Sequence, residues 1–74
     1  MHRPKKRSIT LDGHRTSVSI EEEFWHQFVL TAQKQGKSIN MLATEIDHLR
    51  GLDVGLASAI RLFVLSHALG RTFP

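Results

Sequence analysis

The chain has no cysteine among its 74 residues, which excludes disulfides and cysteine-based zinc sites. It also lacks a long apolar run. The longest, Leu56 to Leu65, is interrupted by Arg61 and is too short to span a bilayer. The basic start, Met1 to Arg7, is followed by Ser8 to Ser19, which is no apolar signal core. No catalytic set is visible: no nucleophile elbow, no phosphate-cradling glycine loop, no carboxylate pair that spacing supports. These absences lead us to expect a small non-enzymatic domain of a reducing, cytoplasmic compartment. A domain of this size buries little apolar surface and usually relies on an added stabiliser. With disulfides and cysteine-bound metals excluded, the expected stabiliser is a second copy.

Acidic residues are scarce where basic ones concentrate. Residues 1–15 hold Arg3, Lys5, Lys6, Arg7 and Arg15 against Asp12 alone, so this segment carries +4 while the rest carries −1. A local basic arm suits a polyanion partner better than a diffusely basic surface would. Pro4 and the charge density predict a flexible arm over residues 1–7, a domain over 8–70 and a tail over 71–74.

From Ser8 the pattern alternates. Thr16, Val18 and Ile20 share one face and Arg15, Ser17 and Ser19 the other, as strand geometry requires. Asp12-Gly13 suits a two-residue hairpin turn. Such a turn would pair Leu11 with His14, Ile9 with Thr16 and Arg7 with Val18. The other reading is one long strand with a bulge at Gly13, and the residues leave both open. A first helix is predicted over about Glu22 to Gln35, with acids at its positive end and a stripe of Phe24, Phe28 and Ala32. Gly36 ends it. Ser38 is an N-cap for a second helix, Ile39 to Leu49. A third, about Leu56 to Leu69, is apolar over most of its circumference, and so is expected to be buried on several sides. The expected class is mainly α with a short β ribbon.

Strand, helix, glycine-basic-serine and helix together resemble the ribbon-helix-helix superfamily of DNA-binding proteins, the Arc/MetJ type. The resemblance rests on Thr16-Ser17-Val18-Ser19-Ile20, the acidic helix start, the Phe24/Phe28/Ala32 stripe and Gly36-Lys37-Ser38-Ile39-Asn40. The longer run Gly13 to Glu21, with Phe24-Trp25 and Ala59-Ile60-Arg61, is similar to a small bacterial subfamily of that fold. The resemblance implies a homodimer whose strands pair antiparallel between subunits and enter the DNA major groove. It implies base readout by Arg15, Ser17 and Ser19. It implies phosphate contacts from the start of the second helix, at Lys37, Ser38 and Asn40; the basic arm would add Lys5, Lys6 and Arg7. Thr16, Val18, Ile20, Phe24, Phe28, Leu42, Ile46, Ile60 and Phe63 are expected at the dimer interface. The third helix and the Ile9–Leu11 segment stand as additions to the minimal unit.

The function expected is a dimeric, sequence-specific DNA-binding protein, a transcriptional repressor or regulator bound to double-stranded DNA, with higher-order assembly there. The alternative is a protein-interaction module, antitoxin-like or an adaptor, that uses the helix over 56–69. Five histidines, His2, His14, His26, His48 and His67, lack the paired helical spacing of ligands, so neither metal nor cofactor is expected. His67 is expected at an interface. The run Glu21-Glu22-Glu23 would repel DNA and should face away from it.

Overall fold

The structure, a computed structural model, describes residues 3–73. Its organisation starts at one turn. Asp12 and Gly13 both adopt positive φ, 49° and 81°, the conformation of a type I′ turn, whose twist matches that of the flanking strands. Asp and Gly tolerate that region better than most residues. The turn joins β1 (Lys5–Leu11) to β2 (His14–Ile20) in an antiparallel hairpin. The register pairs Leu11 with His14, Ile9 with Thr16, Ser8 with Ser17 and Arg7 with Val18. Of the two readings of Gly13, the hairpin is the one the chain adopts.

Three helices follow: α1 (Glu22–Lys34), α2 (Ile39–Leu49) and α3 (Leu56–Ala68). Their ends carry the signals their sequences display. α1 closes through Gly36 at φ 67°, with Lys37 N–H donating to the Ala32 carbonyl and Gly36 N–H to that of Gln33. This paired closure satisfies carbonyls that a helix end otherwise leaves bare. α3 ends the same way at Gly70, with Arg71 N–H on the Ser66 carbonyl. The Ser38 hydroxyl accepts from Met41 N–H at 3.0 Å and starts α2.

The inner face of the hairpin is covered by α2, which packs on β1, and α3, which packs on β2; α1 lies against both helices. Phe28, Ile20, Leu42, Ile46 and Ile60 are the largest fully buried side chains. Phe28 sits 5.5 Å from the Trp25 ring and 6.5 Å, edge-on, from Phe63. α2 is tied to the hairpin at two points. Asn40 Oδ1 accepts from Thr10 N–H on the outer edge of β1 at 2.9 Å, and His48 Nε2 meets Asp12 Oδ2 in the turn at 2.9 Å. α3 is tied to β2 by Arg61, which donates to Glu21 Oε1 at 2.8 Å and to the Ser19 carbonyl at 3.2 Å.

Several expectations change here. The basic arm expected over 1–7 is strand from Lys5 onward, because pairing with β2 supplies backbone partners that charge density alone does not reveal. Pro4 precedes the strand, where its missing N–H removes no ladder bond. Met1 and His2 lie outside the described residues. The tail is not free: Phe73 packs edge-on against Phe63 at 5.5 Å, and Pro74 lies outside the described residues. One chain buries much of the apolar surface expected between subunits, while Met41, Leu49, Leu52, Leu62, Leu65 and Leu69 stay exposed. Val18, Ile20, Phe28, Leu42, Ile46, Ile60 and Phe63, expected between subunits, are buried within a single chain. Thr16 and Phe24 are half-buried. The reason is that β1 supplies the second strand in cis and α3 closes the inner face.

Phe28→Ala removes the centre of this core and should cost about 3–5 kcal/mol of stability, read as a lower urea midpoint at unchanged slope. A loss under about 1 kcal/mol would mean that the ring is not the packing centre. The Asp12 carboxylate holds the His48 imidazole above its ordinary value, first through the hydrogen bond and then through charge. A raised value in the folded state means this tie supports the turn fully below the ordinary histidine value of about 6.5. Its support is lost as pH rises through the folded value. Asp12→Asn should return the His48 titration, followed by NMR, toward the ordinary value; an unmoved titration would place the cause elsewhere.

Candidate nucleic-acid interface

Strand alternation divides the hairpin into two chemically distinct faces. Ile9, Leu11, Val18 and Ile20 point to the helices. Lys6, Ser8 and Thr10 of β1 lie beside Ser19, Ser17 and Arg15 of β2 on the outer face. All of these outer residues are exposed except Thr10, which is half-buried. The result is a polar ribbon with no acid on it and two cations, Lys6 and Arg15. A shallow depression of about 560 Å³ runs across it, lined by Lys6, Ser8, Arg15, Thr16 and Ser17.

Arg15 is held rather than loose. Its Nε donates to Ser8 Oγ at 3.1 Å across the strand pair. That single bond leaves the terminal guanidinium nitrogens without a partner among the described residues. A guanidinium with those donors free can engage two acceptors at once, which an ammonium cannot. Lys5 and Lys6 are likewise exposed and have no ion-pair partner among the described residues.

Arg7 occupies a different position. It lies on the inner face, at the hairpin's end, with Nη2 2.8 Å from Glu22 Oε2 and its guanidinium 5.1 Å from the centre of the Trp25 ring. Its side chain is 17% exposed, so its charge is already matched by Glu22 and the ring. Its Nε is buried without a hydrogen-bond partner among the described residues. Arg7 therefore fastens the hairpin to α1 and differs from Lys5 and Lys6, with which the sequence groups it.

The start of α2 is also partly occupied. Lys37 Nζ is 2.8 Å from Glu45 Oε1, the Ser38 hydroxyl caps the helix, and the Asn40 side chain holds Thr10. The Asn40 bond nonetheless sets the positive end of α2 directly beside the outer edge of β1. Free backbone N–H groups and the helix dipole therefore flank the polar ribbon. The acids are arranged to leave that ribbon clear. Glu21 is paired with Arg61, whose hydrogen bond is the first cause holding its carboxyl below the usual range; Glu22 is paired with Arg7.

Reasoning from the sequence missed Arg61, Asn40 and the His48–Asp12 tie as positioning groups, because their partners lie far along the chain. Ser8, Thr10 and Lys6 join the outer face through the hairpin register, a signal present in Asp12-Gly13. His67 is exposed, its ring 5.5 Å from Phe63. Asp12, Asp47 and His48 bring their ligand atoms within 4.8 Å of one another. All three already have partners, Asp12 and His48 each other and Asp47 the Arg50 guanidinium. Among the described residues, no helix is long and apolar enough to cross a membrane.

No curated protein and no solved structure matches the chain. A family model described as a ribbon-helix-helix domain matches residues 4–68. That span takes in β1 and α3 together with β2, α1 and α2. Ribbon-helix-helix proteins are in general DNA-binding transcription regulators, generally non-enzymatic, and in general bind DNA as dimers. With hairpin, paired helices and third helix all inside the matched span, the chain belongs to the ribbon-helix-helix domain family.

Proposed function

We propose that this protein is a sequence-specific DNA-binding transcription regulator, acting as a repressor, whose groove-entering element is its own hairpin. The observation that carries the reading is the outer face of β1 and β2: acid-free, polar and exposed, with a tethered Arg15 whose terminal nitrogens are free. The major groove is about 12 Å wide and admits a two-stranded ribbon. Strands lie about 4.8 Å apart, so a two-stranded hairpin suits that width. Joining two hairpins edge to edge through β2 would set four strands over roughly 14 Å before side chains are added. The cis hairpin is therefore the better fit for the groove, and each subunit of a dimer then brings its own ribbon.

Within that reading Arg15 grips a guanine edge, while Ser17 and Ser19 donate or accept with less discrimination. Lys5, Lys6 and the N-terminus of α2, at Lys37, Ser38 and Asn40, contact phosphates and set the register. Arg7 contributes by holding the ribbon to α1 and not by touching DNA. The α2 contact is made chiefly by backbone N–H groups, since the side chains there already have partners.

Arg15→Ala should cost about 1–3 kcal/mol of binding and relax one base position, measured by gel shift on sites selected from random duplex DNA. An unchanged footprint would remove Arg15 from the readout. Lys6→Ala should weaken binding to every sequence alike and reduce the slope of log affinity against log salt by about one unit. Arg7→Ala should act instead on stability, with a salt slope equal to that of the parent; a reduced slope would return Arg7 to the phosphates.

A further inference from the structure

The arginines of this chain differ in what holds them. Arg7 is bonded to Glu22 at 2.8 Å, Arg50 to Asp47 at 2.7 Å and Arg61 to Glu21 at 2.8 Å. In each case the partner is a carboxylate, which matches the charge it holds. Arg15 is held instead by a neutral group, the Ser8 hydroxyl, which accepts from its Nε at 3.1 Å. The register brings these two together. Ser8 pairs with Ser17 and Thr10 with Arg15, so Ser8 and Arg15 are diagonal neighbours on the outer face, within reach of a long side chain. No acid competes for Arg15 there. The outer face carries none, and Asp12 in the turn is engaged by His48. Ser8 and Arg15 are both exposed and line the same shallow depression.

We propose that Ser8 of β1 is the positioning residue for base readout, fixing the guanidinium of Arg15 while leaving its charge and its Nη donors free. The inference rests on the reading of the hairpin's outer face as the DNA contact, and adds what aims its arginine. A free arginine side chain is long and samples many orientations, so holding it on a base edge costs rotamer entropy at the moment of binding. A bond at Nε removes part of that freedom beforehand. It also selects the end that is presented. With Nε turned across the strand pair to Ser8, the Nη edge remains, and its donors suit the paired acceptors O6 and N7 of a guanine. A carboxylate in place of the hydroxyl would hold the side chain more tightly but offset the charge that attracts DNA. The benefit falls on the correct site, because phosphates are met by charge in any orientation whereas a base edge requires one. Ser8 therefore acts on specificity rather than on general affinity, and acts through Arg15.

Two measurements on the full chain test this. In the free protein, NMR should show the Arg15 Nε–H exchanging with water more slowly than that of Arg71, which is exposed and has no side-chain partner among the described residues. Ser8→Ala should remove the difference and Ser8→Thr, which keeps the hydroxyl, should restore it. On DNA, the quantity read is the affinity for a site selected from random duplex divided by the affinity for random duplex itself. Ser8→Ala should lower that ratio about three- to tenfold, at unchanged salt slope and unchanged urea midpoint, and Ser8→Thr should recover it. In an Arg15→Ala background, Ser8→Ala should lower the ratio no further, since a residue that acts through another has no effect once that other is gone. Equal exchange at Arg15 and Arg71 overturns the proposal. So does a ratio that Ser8→Ala leaves unchanged while Arg15→Ala lowers it, an outcome that spares the DNA reading. A ratio lowered equally in the Arg15→Ala background also overturns it, and makes Ser8 a DNA contact in its own right. If Arg15→Ala leaves the footprint unchanged, the reading of the outer face has failed and this proposal falls with it.

Discussion

The fold depends on the pairing of β1 with β2 across the Asp12-Gly13 turn. That pairing does three things at once. It gives the backbone of the basic segment partners, so Lys5, Lys6 and Arg7 become strand. It sends Ile9, Leu11, Val18 and Ile20 to one side, where α2 and α3 can cover them. It also collects Lys6, Ser8, Thr10, Arg15, Ser17 and Ser19 on the other. Were the register to slip by one residue, every one of these side chains would change face. The core and the polar outer face would be lost together.

The ties around the hairpin protect that register. Asn40 engages the outer edge of β1, Arg61 the carbonyl of Ser19, His48 the turn, and Arg7 joins the hairpin's end to Glu22 and Trp25. Individually each is a modest interaction at a partly exposed site. Together they connect every helix to the hairpin. The arrangement also separates charge by role. The acids at the start of α1 that have visible partners are held by arginines on the inner side. Lys5, Lys6 and Arg15, without ion-pair partners among the described residues, remain on or beside the ribbon.

Because the hairpin closes within one chain, the apolar surface once assigned to a subunit interface is consumed internally. Met41, Leu49, Leu52, Leu62, Leu65 and Leu69 remain exposed on that chain.

Much of this was legible in the residues. The turn, the register it implies, the three helices and their caps follow from local chemistry: Gly at positive φ, Ser38 as a cap, apolar residues at period two and then 3.6. The outer-face composition, Arg15, Ser17 and Ser19, follows from the same alternation. What local chemistry could not decide was where long-range partners lie. Only the folded chain separates Arg7 from Lys5 and Lys6, because Trp25 and Glu22 are brought to it by the packing of α1. Only the folded chain shows that α3 covers the hairpin in cis, since an apolar helix reads the same whether its cover is its own chain or another. Short-range pattern specifies the elements and their faces; which faces meet is set by packing across the whole molecule, and no local spacing encodes it.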